Sequence, residues 1–429
     1  MCVIILLWAL ITEEINNQAV WFRLYVIMKL LYIHQFFKFP SSSGGTRSYD
    51  LAKSFVSRDV DVTIITSNAA MGGNDDERGK KWTLIEKENL KIWVLNCKYS
   101  KYGSSISRIL TDLKFSILAS FKVLTLKTDV VLATSTPLTI AIPALCRKMI
   151  KKTPFVFEVR DVWPGVPIAM GLFKNAFLQK ILYAFEKHIY RKAAAIVPLS
   201  TGMDENIKKR YPNDKSVVIP NISEINRFDD IKKEVDIEVP EGKKVLLYAG
   251  TLGNVNGVGY IVEMAAKTIK YNSDVWYYLV GAGKEKEGII SKAKELGVLN
   301  KNVFFFNPVK KNDLPYLYSI VTVGSSFVID IPALWDNSAN KFFDTLAARR
   351  PMVINHEGWQ ADAIREYNCG YVLPPTVSEE AAKAFADYMT NEALLKEQGE
   401  NAFALAKEKY SLEVATEKYM GIFDRFYSK

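Results

Sequence analysis

Residues 28–37 read MKLLYIHQFF, residues 40–48 PSSSGGTRS, and residues 245–257 VLLYAGTLGNVNG. Each apolar run ends in a glycine-rich turn, and a helical pattern follows. That is how a doubly wound α/β domain begins, and it occurs twice. Around the first block, the apolar runs 29–37, 60–67, 91–97, 129–136, 154–160 and 194–200 alternate with helical patterns such as 46–58, 106–126, 137–150 and 174–192. Around the second, the runs 245–250, 275–283, 303–308, 321–327, 351–356 and 370–375 do the same. Near-continuous apolar strands separated by helices imply parallel sheets covered on both faces. The sequence therefore predicts an α/β chain of two doubly wound, Rossmann-like domains facing a central cleft. The first spans 28–220, a polar linker 221–240, and the second 241–429. The closing helical stretch 391–429 is longer than the second sheet needs and is expected to pack back toward the first domain.

Composition agrees. The chain has 429 residues, of which 49% are hydrophobic and 24% charged, far from the composition of a disordered chain. The four cysteines (Cys2, Cys97, Cys146, Cys369) show no CxxC spacing, and the three histidines form no HExxH. No disulfide framework, zinc ribbon or histidine-rich metal site is expected, and no cofactor. Asp59-Val-Asp61 matches a DxD pattern but belongs to a helix-to-strand turn. Residues 2–11 (CVIILLWALI) are shorter than the roughly 20 residues that span a bilayer, lack a basic lead and precede Glu13 and Glu14. Residues 1–27 read as an extension before a start at Met28.

Charge is unevenly placed. Residues 28–220 hold 30 Lys and Arg against 16 Asp and Glu, a net +14, whereas residues 221–429 hold 25 against 29, a net −4. The first half is suited to an anionic partner, and the basic amphipathic stretches 106–126 and 174–192 suit an anionic membrane surface. No arginine-rich tail or zinc finger points to nucleic acid.

Three stretches carry chemistry. Gly44 and Gly45 allow backbone to approach a ligand closely, with a helix N-terminus behind them. Gly250 and Thr251 do the same in the second domain, without a dinucleotide fingerprint or a P-loop lysine. The later Gly281-Ala-Gly283 reads as a plain strand-to-helix turn. In 336–351 (DNSANKFFDTLAARRP), Lys341 and Asp344 share a helix face, and Asp336 lies eight residues before Asp344. A carboxylate can accept two sugar hydroxyls, and a lysine at a helix start can neutralise a phosphate. Glu158-Val-Arg160-Asp161-Val-Trp163-Pro164 ends a strand of the first domain, where charged groups suit acceptor binding or proton handling.

These motifs, with IHQFF, GGTRSY, YAGTLG and NHEGWQAD, resemble the retaining GT-B glycosyltransferases of family 4 over residues 28–429. Within that family they resemble bacterial O-antigen and capsule transferases of the N-acetyl-L-fucosamine type. The resemblance implies that Asp336 and Asp344 stand at the E-x7-E carboxylates that bind the donor sugar and the ribose. It makes Arg160, Asp161 and Asp336 the candidate catalytic residues. Gly44, Gly45, Gly250, Thr251, Asn340, Lys341 and Asp344 become the donor-binding set, with no metal. It implies a nucleotide-sugar donor (a UDP-sugar), a polyprenyl-diphosphate-linked saccharide acceptor, and a cytoplasmic enzyme resting on the inner face of the plasma membrane. The chain departs from the family at Thr251 and Asn256, where an arginine and a lysine usually bind the diphosphate, so Lys341 and backbone amides are expected to take over. Arg349 stands where the family generally has glycine. Two other readings fit similar sheets: a nucleotide-sugar 2-epimerase and a non-catalytic saccharide-binding protein.

Overall fold

The computed structural model describes residues 27–42, 44–70, 81–97, 105–233 and 235–427. Its first sheet comprises β1 (Lys29–Ile33), β2 (Asp61–Ser67), β3 (Trp82–Lys87), β4 (Leu90–Leu95), β5 (Val130–Thr134), β6 (Phe155–Val159) and β7 (Ala195–Pro198). Their order is β3-β4-β2-β1-β5-β6-β7. The second comprises β8 (Lys244–Ala249), β9 (Val275–Val280), β10 (Val303–Phe306), β11 (Val323–Ser326), β12 (Met352–Ile354) and β13 (Gly370–Val372), in the order β10-β9-β8-β11-β12-β13. In each sheet the order reverses direction beside the first strand, which opens a crevice at the carboxyl ends. With helices on both faces and parallel pairing throughout except at β3–β4, this is the GT-B arrangement.

Each expected strand run contains a strand, with two departures. β1 stops at Ile33 rather than at residue 37, because the Gln35 carbonyl turns to accept from the Ser67 amide and from the Thr66 and Ser67 hydroxyls. β3 was not expected. It is a partly exposed edge strand without an apolar run, folded back on β4 through Glu88 and Asn89. Both turn residues have positive φ (52° and 62°), as a two-residue hairpin turn requires.

Arg349 has φ 55°, the left-handed conformation in which a helix commonly ends on glycine. That explains the family's glycine at this position. Here the guanidinium lies 3.5 Å from the Phe403 ring centroid and bonds Glu400 at 2.8 Å, contacts that offset the backbone strain.

The closing helix Leu412–Tyr427 does cross to the first domain. Tyr419 and Phe423 pack edge-on against Phe55 at 5.7 and 5.4 Å. Beneath them lies a buried polar knot. Arg47 bonds Glu158 at 3.0 Å with both side chains fully buried, and also donates to the carbonyls of Ile219 and Pro220. The Tyr419 and Thr134 hydroxyls donate to the same carboxylate. Burial alone pushes Glu158 upward, but Arg47, Arg160 and these hydroxyls outweigh it and hold the carboxyl below its usual range. The knot ties two strands (β5 and β6), the helix Arg47–Val56, the Ile219–Pro220 segment just before the linker, and the last helix together. Glu158 thus serves the fold rather than the cleft.

Candidate active site

The loops that follow the carboxyl ends of the two sheets meet each other. On the second-domain side, β8 runs into Gly250, where an added Cβ would lie 3.1 Å from the Lys341 ammonium. Glycine is what lets that lysine cross the turn. Lys341 sits in the first turn of the helix Asn340–Ala347, its Nζ 4.9 Å from the centroid of the Tyr248 ring. Desolvation pulls its pKa down to about 8, with Asp344 opposing the shift. Asp344, 6% exposed, accepts a hydrogen bond from Lys311, itself 5% exposed. The three side chains carry two positive charges and one negative. The patch is therefore suited to an anion.

Thr251 is exposed, and its carbonyl is held by the Tyr248 hydroxyl at 2.7 Å. Cβ atoms at Gly281 and Gly283 would strike the backbone of Gly250 and Leu252. Those glycines let two loops stack; they do not themselves face a ligand.

The first domain supplies the other wall. Gly44 has φ 101°, and a Cβ on Gly45 would overlap the Asn340 side-chain amide across the cleft. Nearby, the Ser42 carbonyl accepts from the Lys311 backbone amide at 3.1 Å. The glycine-rich loop therefore touches the same cluster from the opposite side.

Asp336 occupies a second point of closure. Ser200 donates to its carbonyl at 2.6 Å, and its carboxylate rests on Gly202 in the first turn of the helix Thr201–Arg210. Desolvation raises the Asp336 pKa, with a bond from Asn206 opposing it. The NHEGWQAD segment explains how this loop is held: Trp359 and Gln360 both donate to the Asn337 carbonyl, at 2.9 and 3.0 Å. Arg160 and Asp161 follow β6 on the first domain's wall. The Arg160 amide donates to the Ser135 hydroxyl at 3.0 Å. Asp161 is exposed to solvent just after Arg160. Beside Arg160 lies His34, 7% exposed, pushed down to about 3 by burial and then by the arginine, so the ring is neutral.

The structure thus gathers Gly250, Lys341 and Asp344 into one patch and brings Gly45 against Asn340, whereas Gly44 lies against the Lys38 side chain. Arg160 and Asp161 stay on the opposing wall. Lys311 was not singled out in the sequence: it lies 33 residues from Asp344, and nothing local in Lys310-Lys311-Asn-Asp announces the pair. Asp61 of the DxD pattern is paired with Lys91 at 3.0 Å, at the amino end of β2 and away from the cleft. A cavity of about 700 Å³ lined by Phe228, Ile320, Arg349 and Arg350 opens at the amino edge of the second sheet. It lies at the opposite end of the Asn340–Ala347 helix from Lys341.

Residues 44–222 match the family described as "Glycosyl transferase 4-like domain", and residues 229–404 match "Glycosyl transferases group 1". Alpha-D-kanosaminyltransferase of Streptomyces kanamyceticus is 24% identical over 279 residues, which is 60% of this chain and 70% of that one. The fold is similar to Anabaena HepE in complex with UDP-glucose, with TM-score 0.67 and 15% identity over 93% of this chain and 100% of the other. It is also similar to WaaG, a glycosyltransferase involved in lipopolysaccharide biosynthesis, with TM-score 0.64 and 17% identity over 93% and 100%. The two matched domains, one on each side of the cleft, identify this chain as a glycosyltransferase of the GT-B fold, with a family 4-type first domain and a group 1 second domain.

Proposed function

We propose that the protein moves a sugar, with retention of configuration and without a metal, from a UDP-linked donor to a polyprenyl-diphosphate-linked saccharide. The product would serve bacterial surface polysaccharide, O-antigen or capsule. The enzyme would work at the anionic inner face of the plasma membrane. One observation carries the donor half of this reading: Lys341 crosses Gly250 toward an Asp344 already held by Lys311. A diphosphate fits beside the lysine, and a ribose fits the free edge of the carboxylate. The family's usual diphosphate cations are replaced here by Thr251 and Asn256, so Lys341 takes their charge. Positive charge placed beforehand beside the departing diphosphate stabilises the leaving group as its negative charge grows. Asp336 lies one loop away at the closure point, suited to hydroxyls of the donor sugar. Arg160 and Asp161, on the wall opposite, are suited to the acceptor. HepE's complex with UDP-glucose and WaaG's part in lipopolysaccharide synthesis support the donor class and the pathway class.

The test is UDP release from a UDP-sugar panel, with and without lipid extract as acceptor, in EDTA. Acceptor-dependent release in EDTA supports the reading. Release of UDP without any acceptor product would favour the 2-epimerase, and loss in EDTA restored by magnesium or manganese would remove the metal-free step.

A further inference from the structure

The two basic helical stretches of the first domain carry more than charge. In the helix Ser105–Thr125, the core is served by Phe115, Ala119 and Val123, all fully buried. Leu110, Lys114, Ile117 and Phe121 recur at helical spacing on the outward face. Leu110 is 61% exposed, Ile117 53% and Phe121 68%. In the helix Ala176–Lys192, Ile189 and Tyr190 face inward, whereas Phe177 is 73% exposed. Between them runs the helix Ala141–Lys151, in contact with both, whose Met149 and Ile150 are also exposed. Large apolar side chains left exposed on three neighbouring helices are more than the scattered single residues of ordinary surface, and they mark an interaction face.

Its charge selects the partner. The carboxylates of these helices are turned inward: Asp112 accepts from Gln35 at 2.7 Å, and Glu186 is buried against Arg210 at 3.0 Å. Lys114, Lys180, Lys187 and Arg191 are exposed beside the apolar stripes. Lys122, by contrast, is folded over the Trp93 ring, 3.0 Å from its centroid, and is not part of this surface. Among the described residues no helix is long and apolar enough to cross a membrane. Apolar side chains ringed by cations, with carboxylates withdrawn, match an anionic lipid leaflet.

We propose that this three-helix face docks on an anionic bilayer by shallow insertion of Leu110, Ile117, Phe121 and Phe177, with the lysines meeting lipid headgroups. This rests on the membrane reading above and names its surface and its main force. Because apolar insertion is not screened by salt, attachment persists where purely electrostatic binding would fade.

The experiment is co-sedimentation with phosphatidylglycerol–phosphatidylcholine vesicles, with UDP affinity measured on the same samples. The triple variant Ile117→Ser, Phe121→Ser, Phe177→Ser is expected to lose vesicle partition by about tenfold or more while keeping its UDP affinity. Wild type should keep a substantial part of its binding at about 0.5 M salt. As an independent measurement, Phe121→Trp should show blue-shifted emission when vesicles are added. Equal binding by the triple variant, no Trp shift, or a wild-type dimer that the variant makes monomeric would overturn the proposal; the last outcome would assign the face to a second copy. Vesicle binding is read without any sugar donor, so failure here leaves the transferase reading standing, and failure of that reading leaves this one intact.

Discussion

Lys311 donates to the buried carboxylate of Asp344, and its own backbone amide bonds Ser42 of the first domain. One residue therefore both holds the proposed ribose carboxylate and joins the second domain to the glycine-rich loop of the first. Lys311→Met should weaken UDP binding by about 1.5–3 kcal/mol, the usual worth of a hydrogen bond to a charged group. Asp344→Asn should cost a similar amount, and the double variant should cost less than the sum, because the two groups act as a unit. Calorimetry giving strictly additive losses would separate Lys311 from the site.

Lys341 predicts a pH dependence. Its pKa in the free protein lies at about 8, lowered by desolvation. A bound diphosphate stabilises the ammonium and so raises that pKa. Affinity is then full below about pH 8 and falls as pH rises beyond it, by up to about tenfold per pH unit, with proton uptake on binding. Lys341→Ala should bind weakly and without this slope. Calorimetry in two buffers of different ionisation enthalpy reads the proton directly; uptake unchanged in Lys341→Ala would point to another group.

Gly202 tests the closure point. A Cβ there would strike the Asp336 carboxylate, so Gly202→Ala must move the Asp336 side chain out of its present position. If Asp336 contacts the donor sugar and Asp344 the nucleotide, UDP-sugar affinity should fall by about tenfold, on the order of 1.4 kcal/mol, while UDP affinity stays constant. Parallel losses for both ligands would contradict that division of labour.

Arg47→Met should be severe for the fold. It strips the partner from Glu158, which is fully buried, and frees the carbonyls of Ile219 and Pro220. Removing one member of a buried pair costs about 3–5 kcal/mol. Urea unfolding of the first domain should show it, and Arg47→Met combined with Glu158→Leu should recover part of the loss. A single variant within about 0.5 kcal/mol of wild type would mean that the pair is dispensable.

The sequence alone determined both sheets except for the edge strand β3, because burial on two faces forces continuous apolar runs and helices between them, and β3 has neither. It placed Lys341 and Asp344 on one helix face, since three residues along a helix is a local geometric fact. Only the tertiary structure decided partners. Arg47 and Glu158 are 111 residues apart, and their meeting depends on which strands lie side by side. Glu158 and Arg160 stand two apart near the end of the same strand, yet one is sealed into the core and the other lines the cleft. Lys122 and Lys114 look alike in the sequence, but one covers a tryptophan and the other faces outward. Periodicity records whether a side chain is buried. What it is buried against follows from strand order and from how the two domains close, and both are set by contacts distant along the chain.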